Sequence, residues 1–176
     1  MGVEVVSQRE AGCDFEVEET GSTFAENAFL KAEAVVRAAG LPAVADDSGL
    51  MVDALDGAPG IYSARFTGSH EDSDEARVRF LLQKLEGVAD RGAKFVSSIC
   101  CVFPNGDTLR AEGECPGEIV FAPRGQNGFG YVPVFRPRGF DRTMAELAPE
   151  EKDRISHRGA AMRKFREELR NYNADK

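Results

Sequence analysis

The sequence predicts an α/β fold, a mixed β-sheet flanked by helices, on three observations. Short apolar runs alternate with helical stripes in the order strand, helix, strand, helix, hairpin, helix, as expected for helices packed on a sheet. Between two extended runs, Pro104-Asn105-Gly106-Asp107 is a strong hairpin turn. The 176 residues, 42% of them hydrophobic, suffice for one domain over 1–176 with a real core. There are no internal repeats, low-complexity tracts or linkers.

Val3-Glu4-Val5-Val6 reads as a first strand, followed by an acidic loop through Glu16, Glu18 and Glu19. Thr23 to Ala39 reads as a helix: Thr23 and Glu26 have capping-box spacing, and Phe24, Ala28, Ala32, Val35 and Ala39 trace one face. Gly40 and Pro42 end it. An apolar run at 41–45 is a short strand that stops on the acidic turn Asp46-Asp47-Ser48-Gly49. Ser73 to Glu86 is a helix with Val78, Leu81, Leu82 and Leu85 inward, and Gly87 stops it. Lys94 to Phe103 is a strand, and the hairpin returns over 108–115. The segment 116–140 is rich in Gly and Pro. After a short turn at Thr143, a helix from Ser156 to Tyr172 turns Met162, Phe165 and Leu169 inward.

With 22 basic and 30 acidic residues the net charge is −8, which argues against nonspecific nucleic-acid binding. Basic residues cluster late (Lys152, Arg154, Arg158, Arg163, Lys164, Arg166), so a local positive site is compatible with that charge. The four cysteines form no CxxC pair and only two histidines are present, which disfavours zinc. There is no secretory start and no apolar run long enough to span a bilayer, so the expected setting is the cytoplasm, without a membrane partner.

Adjacent acids at the end of a buried strand suit Mg²⁺, which is usually held by one or two carboxylates plus substrate phosphates. Read alone, Asp46 and Asp47 are equally a solvated turn. The capping box accounts for Glu26, and Lys31 is by default an exposed helix lysine. Gly125 to Tyr131 is too loose for a dinucleotide fingerprint. It is either a surface loop or a backbone that approaches a ligand, with Phe129 stacking on a flat ring. Ser156 is an N-cap, and His157 and Arg158 are donors at a positive helix end. No G-x-S-x-G elbow exists, so a serine hydrolase is disfavoured.

Several spaced motifs closely resemble the inosine/xanthosine triphosphate pyrophosphatases. They are Thr23-Phe24-x-Glu26-Asn27-Ala28-x-Leu30-Lys31-Ala32, the stretches Ala45 to Leu50 and Gly57 to Arg65, Asn127-Gly128-Phe129-Gly130-Tyr131-x-Pro133, and Ile155-Ser156-His157-Arg158-Gly159. The resemblance implies a homodimeric enzyme with an elongated mixed sheet and two lobes around a central nucleotide cleft. It implies Mg²⁺-dependent hydrolysis of XTP, ITP and dITP to the monophosphate and pyrophosphate. By the same resemblance Asp47 is the proton acceptor and a metal ligand, with Asp46 and Glu26 completing the metal site. Ser48 touches the substrate and Lys31 the phosphates. Phe129, Gly130, Tyr131, Val132, Lys152, His157 and Arg158 form the nucleobase pocket.

Two departures shape the expectation. The family opens with a strand and a Ser/Thr-x-Asn-x-x-Lys phosphate loop, whereas this chain opens at what would be the second strand. Val132 stands where the family has Asp, which relaxes base selectivity. The alternative reading is therefore a nucleotide-binding, dimer-forming remnant with little turnover, and a third is a protein-interaction domain using a bared sheet edge.

Overall fold

A computed structural model describes residues 3–174. Helix α1 (Phe24–Ala39) forms where its stripe predicts: Thr23 caps it by accepting the Glu26 N–H at 3.1 Å, and the Gly40 N–H bonds back to the Val36 carbonyl at 2.8 Å. Strand β1 (Ala43–Val52) follows, then helix α2 (Asp74–Lys84), strands β2 (Gly92–Val102), β3 (Thr108–Ile119) and β4 (Phe135–Pro137), and helices α3 (Pro149–Ile155) and α4 (His157–Ala174). The strands lie in the order β1-β2-β3-β4 and every described pair is antiparallel, so this sheet is a meander and not a mixed sheet. The tight turn between β2 and β3 allows only antiparallel pairing, whereas the longer β1–β2 connection, which carries α2, returns its strand antiparallel as well. The hairpin turns as expected: the Phe103 N–H bonds the Asp107 carbonyl at 2.9 Å.

Three expectations change. Val3 to Val6 form no strand and lie exposed. Asp46-Asp47-Ser48-Gly49 is the middle of β1, not a turn at its end. Ile99, Ser98, Ser97 and Val96 pair it across the ladder, and this satisfies its backbone through to Val52. Met162 is exposed on α4, because Ala161 and Phe165 set the inward face.

Strand alternation assigns the two faces of the sheet. Helix α1 covers one face, packing Ala28 and Ala32 on Ala43, Cys100 and Val102. The other face carries two cores. Ala161 and Phe165 of α4 pack on Ile99, Cys101 and Ala111. Further along the strands, α2 and the segment 131–145 pack on Leu50, Phe95 and Cys115. Between these two cores runs a row of small residues, Ser48, Ser97 and Gly113, in register across three strands. At Gly113 a Cβ would collide with the His157 carbonyl and the Ala161 N–H, so glycine lets the first turn of α4 rest directly on β3.

Candidate active site

Asp46 and Asp47 point to opposite faces of β1 because they are neighbours in a strand. Each gathers its own cluster.

On the α1 face, the Asp47 Oδ1 accepts from the Lys31 ammonium at 3.3 Å, and Lys31 also meets Glu19 at 2.8 Å. The Asp47 side chain is only 13% exposed, and its Oδ2 is buried without a partner. Burial pushes the Asp47 carboxyl up; Lys31 pulls it down, Glu19 pushes it up again, and the balance is a raised pKa. Burial pulls Lys31 down, yet its two carboxylate partners outweigh this and hold the ammonium more firmly charged. Glu26 sits in the first turn of α1, where its carboxylate accepts from the Ser22 N–H at 2.6 Å and the Ser22 hydroxyl at 2.8 Å. Those bonds hold its pKa low.

On the opposite face, Arg158 at the start of α4 donates to Asp46 Oδ2 at 3.3 Å and to Ser48 Oγ at 3.2 Å. The guanidinium and the Lys152 ammonium of α3 each lie 5.8 Å from the centre of the Phe129 ring, which is 67% exposed. The His157 ring stacks on Phe95 with centroids 5.0 Å apart and planes at 18°. Its Nδ1 is buried without a partner. Burial and then the Arg158 charge bring its pKa down to about 4, so at neutral pH the ring carries one donor and one acceptor nitrogen. This cluster lies over the small-residue row, at the seam between the two cores. An exposed flat ring, two cations and a neutral imidazole suit a planar ligand rich in carbonyl acceptors.

The family profile for the Ham1 family matches residues 1–168. The chain belongs to the Ham1 family. This Ham1 chain is 51% identical to the dITP/XTP pyrophosphatase of Aquifex aeolicus (strain VF5) over 178 residues, covering 97% of this chain and 86% of the relative. It is 54% identical over 152 residues to the dITP/XTP pyrophosphatase of Streptomyces avermitilis, covering 85% of this chain and 76% of the relative. Among solved structures, the Staphylococcus aureus Ham1 protein matches with a TM-score of 0.91 at 47% identity, over 96% of this chain and 88% of that one.

The Ham1 fold thus brings Asp47 and Lys31 together on one face and Asp46, Ser48, Phe129, Lys152, His157 and Arg158 on the other. Asp46 is held by Arg158 on the face of β1 opposite Asp47. Tyr131 and Val132 are core residues: the Tyr131 hydroxyl donates to the Ser63 carbonyl at 2.7 Å, and both side chains pack in the α2 core. Gly130 offers its N–H to Asp74 at 2.7 Å, which ties the loop to α2. Among the described residues no three His, Cys, Asp or Glu side chains converge as a metal cluster. A hard cation such as Mg²⁺ needs only one or two protein carboxylates when phosphates supply the remaining oxygens, and the unpaired Asp47 Oδ2 fits that role.

Sequence reasoning missed Glu19, Phe95 and Asp74. Their contacts join residues far apart in the chain and leave no local pattern. Asn27 did leave one: a polar residue on the buried stripe of α1.

Proposed function

We propose that this Ham1 protein hydrolyses purine nucleoside triphosphates bearing a 6-keto base (XTP, ITP and dITP) to the monophosphate and pyrophosphate. The observation that carries this reading is the division of labour along β1. A buried carboxylate with one unpaired oxygen and a lysine lies on one face, and a cationic, ring-lined cluster lies one residue away on the other. The relatives' dITP/XTP pyrophosphatase names agree with it. Asp47 accepts the proton of the attacking water as its oxygen bonds to the α-phosphorus. The α–β bridging P–O bond breaks, and pyrophosphate leaves with charge offset by Lys31. Asp47 and Glu26 would hold Mg²⁺, which when bound neutralises phosphate charge. In the base cluster Phe129 stacks on the purine, while Arg158, oriented by Asp46, donates to the 6-keto oxygen beside neutral His157. Adenine presents an amino donor there, and the mismatch of unpaired buried donors costs about 1–3 kcal/mol each, enough for tenfold discrimination.

The homodimer belongs to the same proposal and is read by sedimentation equilibrium. The test of activity is pyrophosphate release by the purified chain with Mg²⁺, offering XTP, ITP and dITP against ATP and GTP. Selective release that is lost in Asp47→Asn, with the fold intact by circular dichroism, is the expected result. Undiminished release from Asp47→Asn would remove Asp47 from the mechanism. Nucleotide binding by the wild type without turnover would favour a binding remnant.

A further inference from the structure

Asn27 is fully buried on α1, one helical turn before Lys31, and both residues share the face turned toward β1. Its side chain is half used. Oδ1 accepts the Gly21 N–H at 2.8 Å, while Nδ2 is buried with no partner at bonding distance. The other orphan on this face is Asp47 Oδ2. The Asn27 amide lies near enough to that carboxylate to lower its pKa against the rise that burial causes. A buried donor on α1 and a buried anionic acceptor on β1, neither with a hydrogen-bond partner, thus lie on the same side of the sheet, beside the Lys31 that already bonds Asp47. Hydrogen bonds at reacting centres are commonly long before the substrate is in place.

We propose that Asn27 is the positioning residue for Asp47, its side-chain amide clamping Oδ2 as Lys31 clamps Oδ1, so that two residues one turn apart on α1 fix the carboxylate. This rests on the reading of Asp47 as the group that accepts the water's proton. The amide suits the place chemically. A neutral donor orients the carboxylate without cancelling its charge, whereas a second ammonium would neutralise it and a hydrocarbon would leave Oδ2 unsolvated. A carboxylate oxygen has lone pairs to spare, so the clamp and a bound cation can coexist. The Gly21 N–H bond to Oδ1 anchors the amide from its other end.

The competing role is purely structural, in which Asn27 serves only to hold Gly21. Asn27→Asp separates the two, since it keeps an oxygen for the Gly21 N–H and replaces the donor facing Asp47 with another oxygen. The expected result is a fall in kcat of roughly 10- to 100-fold, the scale of a slightly misplaced catalytic group, with KM within about twofold. A wild-type kcat in Asn27→Asp, with Asp47→Asn inactive, overturns the positioning role while the reading of Asp47 stands. Turnover in Asp47→Asn overturns that reading itself. A second readout needs neither activity nor a folded Asn27 variant. The side-chain amide signals of Asn27 in a ¹H–¹⁵N spectrum should move in Asp47→Asn while the backbone signal of Gly21 stays in place. Unmoved amide signals overturn the proposal.

Discussion

His157 illustrates how one residue's surroundings choose its chemistry. Its imidazole, stacked on Phe95 and facing Arg158, Lys152 and Asp46, has a pKa of about 4 against an ordinary 6.5. Because the folded value is the lower one, the unfolded chain binds a proton between pH 6.5 and 4 that the native state does not. Stability from this group is therefore fully present above pH 6.5 and falls as the pH drops toward 4, by about 3 kcal/mol in all. His157→Gln removes the titration, so its urea midpoint should fall less between pH 7 and pH 4.5 than that of the wild type. An equal fall in both proteins would show that the ring is not held neutral by the fold. At Val132, Asp would enter the α2 core. With the carboxylate desolvated, Val132→Asp should lower stability by several kcal/mol, measured by thermal unfolding, before any effect on base choice can be read.

At the scale of elements, close backbone approach decides where the base cluster sits. Helix α4 rests on β3 only because residue 113 has no side chain, and this contact places His157 and Arg158 over the Ser48–Ser97 row. Gly113→Ala should push the helix outward, costing about 1–3 kcal/mol in overpacking. Its melting temperature should fall and base discrimination weaken together; a stable variant with unaltered discrimination would show that α4 does not set the pocket. Gly49 does similar work on β1, where a Cβ would strike the Gly60 carbonyl and Ser63 Oγ. That closeness lets Ser63 Oγ accept the Leu50 N–H at 2.9 Å. The helix α1 and the hairpin were legible because their signals are local: a stripe every three to four residues, a capping threonine, a turn tetrapeptide. The acidic segment resembles a turn in sequence because consecutive polar residues are common in loops. Pairing with Ser97 and Ser98 is what keeps it extended, and that partner lies about fifty residues away.

Across the whole molecule, two cores share one face of the sheet and α1 covers the other, so ligand binding at the seam couples elements from both halves of the chain. A non-hydrolysable 6-keto purine triphosphate with Mg²⁺ should therefore raise the melting temperature, by about 2.7 kcal/mol of added stability at a hundredfold excess over Kd. The adenine analogue at the same concentration should raise it less. Equal shifts would place base selectivity outside the Phe129–Lys152–Arg158 cluster.

Residue order alone carries the α/β class, the helix over 24–39, the hairpin and the motif set that marks the family. These are properties of neighbouring residues and of residue order. That Asp46 and Asp47 lie on different faces, that Tyr131 and Val132 belong to the core, and that Asn27 is buried on the Asp47 side of the sheet emerged from the tertiary packing alone. The physical reason is distance along the chain. The contact between Arg158 and Ser48 spans 110 residues, and that between Tyr131 and Ser63 spans 68. Such pairs arise from how strands alternate and how closely helices can approach them, which no local periodicity encodes.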